Sequence, residues 1–529
     1  MAACSTAELS SAAIATANAA TIETKNTQVT ATAVTVKAPI GSFVGSQQQG
    51  VTVFRGIPYA VPPVGENRWR APSPALATTG THDATAFGPV CPQPSDNPMV
   101  AGFPQSEDCL TLNIWSPEGA IKAKQGALPV MVWIHGGSFK VGSGRWLKTE
   151  ASQLASQGAV IVTINYRLGN LGRFAHPALS KQQSGQPLAN FGLMDQVLAL
   201  EWVQKNISAF GGNPNNVTIF GYSAGAVSVN LLMAAPSAKG LFQHAIAQSS
   251  AVLLPVSRHI SQTNGGHPPL EQDGLQLAKH FDIANDDQAP VRLRQLSAEQ
   301  IMAVPTQSGS MNPVVDGKFI TEDLGKTFSE GNFHPVDYIA GVNSWEASLA
   351  KSLKNMPAQL LFGLLKKTYN FSSDDQALYQ AYGEKTPLAD INQMMFADSF
   401  HASTFYLAEQ VAKHGGNSYL YWFAYQPEGA DATLPGVPHG SEVPYIFGSL
   451  DQRDRVGSPP VTDKDRHISQ QVQHYWLNFA ATGNPNGAKL VNWPKLTQQQ
   501  SNWLVIDNVI STSPDLLQDR IKLWQKTYQ

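Results

Sequence analysis

The chain has 529 residues, of which 42% are apolar and 14% are charged, and its formal net charge is −3 at pH 7. That length would allow two or three ordinary domains, although large α/β enzymes often keep it in a single unit. The near-neutral charge balance gives no sign of a nucleic-acid or acidic-membrane partner. No apolar run approaches the roughly 20 residues of a transmembrane helix. The composition therefore predicts a soluble, globular protein.

The N-terminal segment is rich in Ala, Thr and Ser and has almost no large apolar side chain. Such a segment cannot offset the entropy cost of ordering, so residues 1–38 are predicted to be a flexible tail and residues 39–529 a single domain. The tail has no basic n-region or apolar h-region, and we expect no intact signal peptide in it. It opens with Met-Ala-Ala-Cys, and a small pair before a cysteine is typical of bacterial lipoproteins, in which Cys4 would carry the lipid. The alternative is an exposed cysteine in a disordered tail.

Apolar strands alternate with helical patterns after the tail. Residues 128–134 and 159–164 are continuous apolar runs, which are typical of a sheet covered on both faces. Residues 190–209 carry apolar side chains at helical spacing. Residues 217–220 form another short apolar strand, and a helix is predicted from about residue 226 to 235. The alternation predicts an α/β fold with a mostly parallel sheet.

Residues 221–225 read Gly-Tyr-Ser-Ala-Gly and match the pattern G-x-S-x-G. A strand enters this motif and a helix leaves it, which is the context that a nucleophile elbow requires. The serine would stand exposed at the helix N-terminus, where the helix dipole favours developing negative charge. An ordinary glycine-rich turn is the alternative. We interpret Ser223 as the candidate nucleophile.

A second motif, His-Gly-Gly-Ser-Phe, directly follows the strand at residues 128–134 and occupies residues 135–139. Consecutive small residues there would let backbone N–H groups point into a cavity and bind the oxyanion of a tetrahedral intermediate. A tight turn without a catalytic role is the alternative. Two independent motifs, each after its expected strand and in the expected order, favour a hydrolase.

Further motifs extend over nearly the whole chain after the tail. They lie at residues 54–60 (Phe-Arg-Gly-Ile-Pro-Tyr-Ala), 106–115 (Ser-Glu-Asp-Cys-Leu-Thr-Leu-Asn-Ile-Trp), 165–169 (Asn-Tyr-Arg-Leu-Gly), 190–196 (Asn-Phe-Gly-Leu-Met-Asp-Gln), 210–214 (Phe-Gly-Gly-Asn-Pro), 248–249 (Gln-Ser), 478–479 (Asn-Phe) and 482–485 (Thr-Gly-Asn-Pro). In this set the chain resembles the type-B carboxylesterases, the family of cholinesterases and bacterial para-nitrobenzyl esterases. The resemblance implies an α/β-hydrolase fold with helices on both faces of the sheet. It also implies a serine esterase that works through an acyl-enzyme and needs no metal or organic cofactor.

The resemblance also implies the remaining members of a catalytic triad. The family's acid follows a strand in a Gly-x-Asn-x-x-Glu setting, which corresponds here to Glu346. The family's histidine precedes a Glu and a Phe-Gly, which corresponds to His439. The order Ser, Glu, His is that of α/β-hydrolases. Asp316 is the reserve candidate for the acid.

The resemblance assigns two more sets of residues. The oxyanion donors would be the backbone N–H groups of Gly137, Ser138 and Ala224. Cys91 and Cys109 would form the family's first disulfide, whereas their spacing by itself leaves two free thiols equally open. A disulfide implies an oxidising compartment, so we expect a secreted or periplasmic protein, anchored to a membrane if Cys4 is lipidated.

Three positions depart from the family. Tyr222 replaces the usual glutamate before the nucleophile, so we expect altered hydrogen bonding around Ser249 and weaker attraction for cationic substrates. Ser138 replaces the third glycine of the oxyanion loop and needs compatible backbone angles. The segment between the two cysteines contains Phe103 but no tryptophan or tyrosine to hold a quaternary ammonium, which argues against a choline ester.

Two alternatives to ester hydrolysis remain at this point. The same triad would also serve amides, carbamates or lactones, because only the shape of the pocket separates these substrates. Some proteins with this fold bind partners without catalysis, but they usually lack the nucleophile or the histidine. The sequence retains both residues and therefore favours a small-molecule ester as the substrate.

Overall fold

The computed structural model describes residues 32–526 except 98, 124–125, 184–188, 252–257, 265–266, 306–311, 370, 372–374 and 453–458. Cys4, with the predicted lipidation, lies outside the described residues. The strands of the described part are β1 (Thr32–Ala38), β2 (Gly41–Gln48), β3 (Val51–Pro58), β4 (Thr81–Asp83), β5 (Thr111–Pro117), β6 (Leu128–Ile134), β7 (Val160–Ile164), β8 (Gly212–Tyr222), β9 (His244–Gln248), β10 (Asp337–Asn343), β11 (Ser418–Phe423), β12 (Asn502–Ile506) and β13 (Ser511–Pro514).

The α-helices lie between and after these strands. They are α1 (Ser152–Ser156), α2 (Gly169–Gly172), α3 (Pro177–Gln182), α4 (Phe191–Asn206), α5 (Ala224–Ala234), α6 (Glu271–His280), α7 (Ala289–Gln295), α8 (Ala298–Ala303), α9 (Leu324–Ser329), α10 (Ala358–Thr368), α11 (Asp375–Tyr382), α12 (Leu388–Lys413), α13 (Val443–Phe447), α14 (Asp463–Thr482) and α15 (Gln518–Gln525). Among the described residues, none of these helices combines the length and the apolar character needed to cross a bilayer.

All the strands belong to one sheet. Its order is β1-β2-β3-β5-β7-β6-β8-β9-β10-β11-β12-β13, with β4 paired to β2. The strands from β7 to β12 in this order pair in parallel. The outer strands pair antiparallel, except for β4, which pairs in parallel with β2. The predicted mostly parallel sheet is thus confirmed. Because parallel strands end at the same edge, the loops after β6, β8, β9, β10 and β11 meet there.

The sheet has a hydrophobic core on each face. In β6, Val130, Val132 and Ile134 belong to one core, together with side chains of α4 and α5. Met131 and Trp133, which alternate with them, belong to the other core, together with side chains of α1 and α14. All five side chains are fully buried. The continuous apolar strands therefore reflect a sheet covered on both faces, as predicted.

Two predicted boundaries are corrected. The tail was expected to reach residue 38, but residues 32–38 form β1, which pairs antiparallel with β2 and buries Val36 and Ala38. The composition of this segment hid the strand because only alternate side chains face the core. The helix expected from about residue 226 begins at Ala224, directly after the elbow serine, and ends at Ala234.

The predicted disulfide is confirmed. Cys91 and Cys109 are bonded, their Cα atoms are 5.1 Å apart, and both residues are buried. The bridge closes a loop with a sequence separation of 18 residues just before β5. The disulfide therefore closes this loop covalently just before the first residue of β5.

We predict that the Cys91→Ala/Cys109→Ala double variant unfolds with a free energy lower by about 3 kcal/mol, because the unfolded chain regains the entropy that the closed loop had removed. Chemical denaturation followed by intrinsic fluorescence measures this difference. Adding a reductant should lower the stability of the wild type and leave that of the double variant unchanged. Equal stability of the oxidised wild type and the variant would contradict the prediction.

Candidate active site

Ser223 occupies a sharp turn between β8 and α5. Its backbone angles are φ 55° and ψ −124°, outside the regions that residues with a side chain ordinarily adopt. Its N–H donates a hydrogen bond of 2.8 Å to the carbonyl of Gln248 at the end of β9. The residue is partly exposed, whereas Tyr222 and Ala224 on either side are buried. The turn therefore presents the hydroxyl of Ser223 at the N-terminus of α5.

The glycines of the elbow are required by the close approach of β6. A side chain at Gly225 would collide with the carbonyl oxygen of Ile134 at the end of that strand. A Cβ atom at Gly221 would lie 2.6 Å from the same oxygen. The G-x-S-x-G pattern thus follows from packing between the elbow and the neighbouring strand.

Glu346 lies just after β10 and is fully buried. Its Oε2 atom is 2.5 Å from Nδ1 of His439. Its Oε1 atom accepts hydrogen bonds from the hydroxyl of Ser249 at 2.6 Å and from the backbone N–H of Asn343 at 2.7 Å. The predicted acid and the predicted histidine are therefore in direct contact, 93 residues apart in the chain.

His439 stands beside the elbow. Its ring centroid is 5.9 Å from that of Tyr222, the residue that precedes Ser223, and 5.5 Å from that of Phe400 in α12. Its Nε2 atom is buried and has no hydrogen-bond partner among the described residues. The hydroxyl of Ser223 is thus not bonded to this nitrogen here, and catalytic contacts of this kind often tighten only when substrate binds.

The pKa values of this pair move apart. Burial alone would raise the pKa of the Glu346 carboxyl, but the charge and hydrogen bond of His439, with the Ser249 and Asn343 hydrogen bonds, bring it below its usual value. Burial alone would lower the pKa of His439, but the charge and hydrogen bond of Glu346 raise it above its usual value. The contact therefore favours an ionised carboxylate and an imidazole that binds a proton readily.

The loop after β6 has an unusual backbone. Gly137, Ser138 and Phe139 have φ values of 115°, 56° and 57°. The N–H groups of Gly137 and Ser138 donate none of the backbone hydrogen bonds of the described residues. Ala224 is the first residue of α5, where an N–H group has no acceptor within the helix. Ser138 thus adopts the left-handed angles that its position requires.

Asp316, the reserve acid, is engaged elsewhere. Its Oδ1 atom accepts hydrogen bonds from the backbone N–H groups of three residues that follow it, Lys318, Phe319 and Ile320. Its Oδ2 atom accepts a hydrogen bond of 2.8 Å from Asn190 at the start of α4. The structure thus pairs His439 with Glu346 and uses Asp316 to hold a turn.

Tyr222 belongs to an aromatic stack beside the triad candidates. Its ring lies between the rings of Trp133, with centroids 5.9 Å apart, and Trp146, with centroids 5.8 Å apart. The interplanar angles are 5° and 18°, so the three rings are nearly parallel. An aromatic wall thus occupies the place next to His439 where the family usually has a carboxylate.

The sequence analysis missed a second buried carboxyl group, Glu442. Its Oε2 atom accepts a hydrogen bond of 2.5 Å from Nδ2 of Asn343, whose backbone N–H binds Glu346. Burial and the charge of Glu346 raise the pKa of Glu442 above its usual value. The sequence motif that located His439 already contained Glu442 as the glutamate that follows the histidine. The sequence did not show that the carboxyl group of Glu442 is buried beside Glu346, and this burial is what makes Glu442 part of the site.

An apolar cavity of about 260 Å³ lies between α10 and α12. One of its lining residues is Ala350, in the 3₁₀ segment that starts with Glu346. Phe396 of α12 lines it, and the ring of Phe396 is 5.9 Å from that of Phe400, which contacts His439. The cavity is therefore two aromatic rings away from the imidazole.

Comparisons with known proteins identify the family of the chain. The model of the carboxylesterase family matches residues 31–524. The chain belongs to this family. The para-nitrobenzyl esterase of Bacillus subtilis is 35% identical over 498 residues, which are 91% of this chain and 96% of that relative. The fumonisin B1 esterase of Sphingopyxis macrogoltabida is 32% identical over 460 residues, 85% of this chain and 82% of that relative.

Solved structures of carboxylesterases have the same fold. The carboxylesterase of Geobacillus stearothermophilus has a TM-score of 0.79 and 30% identity, with 93% of this chain and 100% of that chain covered. A thermophilic para-nitrobenzyl esterase has a TM-score of 0.78 and 32% identity, with 93% and 99% covered. The predicted α/β-hydrolase fold and the predicted serine carboxylesterase are confirmed, and the protein is a carboxylic-ester hydrolase.

We predict that Gly225→Ala destabilises the esterase by about 1–3 kcal/mol or more, because the added methyl group has no space against the carbonyl of Ile134. Gly363→Ala is the matched control, since Gly363 lies on the exposed face of α10 with nothing within 4 Å of the added atom. Thermal unfolding of both variants measures the difference. A Gly225→Ala variant as stable as the control would show that the elbow has more room than the structure indicates.

Proposed function

We propose that Ser223 is the nucleophile of this esterase, His439 its general base and Glu346 the acid that orients the histidine. The observation that carries this proposal is the contact between Glu346 and Nδ1 of His439, beside the elbow; Nε2 of His439 has no hydrogen-bond partner among the residues that the structure describes. A histidine held at one nitrogen by a carboxylate keeps the other nitrogen free to accept a proton.

In the proposed reaction, Nε2 of His439 takes the proton of the Ser223 hydroxyl as its oxygen attacks the ester carbonyl. The carbonyl oxygen becomes negatively charged, and the N–H groups of Gly137, Ser138 and Ala224 stabilise it. His439 then donates its proton to the oxygen of the leaving alcohol, which departs. Water attacks the acyl-enzyme with the same proton transfers and releases the acid and the free enzyme.

The surroundings of His439 support uncharged, largely apolar esters as substrates. The rings of Tyr222 and Phe400 both lie beside the imidazole, and the Tyr222 ring stacks on those of Trp146 and Trp133. Aromatic side chains contribute large apolar surfaces to ligand pockets. The apolar cavity lined by Phe396 is separated from the same imidazole by the rings of Phe396 and Phe400.

We also propose that the protein works in an oxidising compartment, as a secreted or periplasmic enzyme. The support is the buried Cys91–Cys109 disulfide, because such bonds persist where thiols are not kept reduced. Mass spectrometry of alkylated protein from the native host, fractionated by compartment, tests the location. Protein recovered only from the cytosol with both thiols alkylated would contradict it.

Ser223→Ala should lower kcat for p-nitrophenyl acetate by on the order of 10⁴-fold or more, because the acyl-enzyme cannot form. The fold should remain, since the backbone of the elbow is held by its neighbours. The exposed Ser237→Ala, at the other end of α5, is the control and should keep full activity. Substantial turnover by a Ser223→Ala variant with intact circular dichroism would refute the assignment.

The pH profile tests the role of the acid. The base must be neutral to accept a proton, and the pKa of His439 is raised by Glu346, so kcat/KM of the wild type should fall as the pH drops through a value above about 6.5. Glu346→Gln removes the negative charge, so this acidic limb should move to lower pH while kcat falls by roughly 10⁴-fold.

Asp316→Asn is the matched control for Glu346→Gln, because both variants remove one carboxylate charge. It should leave the acidic limb where it is in the wild type, since Asp316 bonds a turn rather than His439. A shift of the limb in Asp316→Asn, with an unshifted limb in Glu346→Gln, would reverse the assignment of the acid.

A further inference from the structure

Exposed leucines cluster on α10 and on the 3₁₀ segment before it. Eight large apolar side chains of the described residues are exposed, and three of them, Leu349, Leu360 and Leu364, fall within residues 349–364. Their exposed fractions are 51%, 62% and 46%. A single exposed apolar side chain is ordinary, whereas a group of them marks a surface that contacts a partner.

The spacing of the residues in α10 places two of these leucines on its outer face. The inner face of the helix buries Leu361, Phe362 and Leu365. Leu360 and Leu364 are four residues apart, so they lie one above the other along the outer face. Lys367, three residues after Leu364, continues the same face and is exposed. The outer face of α10 is therefore apolar in its middle and basic at its C-terminal end.

The cavity between α10 and α12 connects Leu349 with this face. Ala350, the residue after Leu349, and Leu361 of α10 line the same cavity. Ala389 at the start of α12 also lines it and is exposed, so the cavity reaches the surface of the protein. The segment that carries Leu349 is therefore next to α10, and the apolar surface continues into the cavity.

The same stretch of chain carries positive charge. Residues 347–373 contain four lysines, at positions 351, 354, 366 and 367, and no aspartate or glutamate. The first turn of α12 contributes one acidic residue, Asp390, which does not balance four lysines. Lys366 and Lys367 lie in the last turn of α10, where the helix dipole favours cations. The dipole accounts neither for the lysines before the helix nor for the exposed leucines beside them.

We propose that the α10 surface, which consists of Leu349, Leu360, Leu364, Lys366 and Lys367, binds an anionic lipid surface. The leucine side chains enter the boundary between headgroups and acyl chains, and the lysine ammonium groups meet lipid phosphates. A second copy of the chain is the poorer partner, because a twofold interface would set the lysines of one copy against those of the other. The net charge of −3 for the whole chain hides this local positive surface.

Flotation with lipid vesicles tests the proposal. Every protein is the full chain with Cys4→Ser, so that no lipid on that residue contributes. This protein should bind vesicles of phosphatidylcholine and phosphatidylglycerol at least about tenfold more strongly than vesicles of phosphatidylcholine alone. Leu360→Gln/Leu364→Gln should weaken the binding by about tenfold or more, because two apolar side chains no longer enter the lipid. Lys366→Gln/Lys367→Gln should weaken it by about tenfold and make it less sensitive to salt.

Two double variants on other parts of the surface are the matched controls. Leu76→Gln/Val509→Gln also removes two exposed apolar side chains, and Lys239→Gln/Lys279→Gln also removes two exposed charges. Both should bind the anionic vesicles within about twofold of the parent protein. All variants should keep the circular dichroism and the p-nitrophenyl acetate turnover of the parent, which shows that a loss of binding is not a loss of fold.

Three results would overturn the proposal. The first is equal binding to the two kinds of vesicle, or no binding to either. The second is a loss of binding in the control variants as large as in the α10 variants. The third is a dimer in analytical ultracentrifugation that Leu360→Gln/Leu364→Gln abolishes while no vesicles are bound, since this would assign the α10 surface to a second copy of the chain.

Discussion

The architecture of the active site depends on how one buried carboxylate is compensated. Glu346 has no exposed surface, and an unpaired charge in such a place would be strongly destabilising. Its two oxygens accept hydrogen bonds from Ser249, Asn343 and His439. Ser249 directly follows β9, Asn343 is the last residue of β10, and His439 lies in the loop after β11. The hydrogen bonds to this one carboxylate therefore connect the ends of three neighbouring strands. The imidazole is oriented as a consequence of that compensation.

Backbone strain concentrates around the same point. Ser138 and Phe139 after β6, Ser223 after β8 and Ser249 after β9 all have φ values between 55° and 57°. Residues with a side chain adopt such angles at a cost, and they persist only where the surrounding structure enforces them. Here the two hydrophobic cores pack against both faces of the strands, so the loops at the strand ends keep these conformations.

Two titratable groups close to the triad candidates are shifted toward their neutral forms. Burial holds Glu442 toward its neutral form, although it lies beside Glu346. Burial also lowers the pKa of His135, at the start of the loop after β6, to about 4, so that this ring is neutral at physiological pH. In their neutral forms, Glu442 and His135 add no charge that would weaken the attraction between Glu346 and His439. A low-dielectric setting of this kind strengthens each remaining interaction.

Local patterns in the sequence were enough to predict the strands at residues 128–134 and 159–164, the elbow at Ser223 and the family, because each of these motifs consists of residues close together in the chain. The second strand is observed at Val160–Ile164. The choice of Glu346 and His439 rested on resemblance alone, since 93 residues separate them and no local pattern distinguishes them from other carboxylates and imidazoles. Only the tertiary structure decided that Asp316 holds a turn, that residues 32–38 form β1 and that Glu442 is buried beside Glu346. Each of these features depends on which residues, distant in the chain, are buried together away from water. Tertiary packing alone determines this.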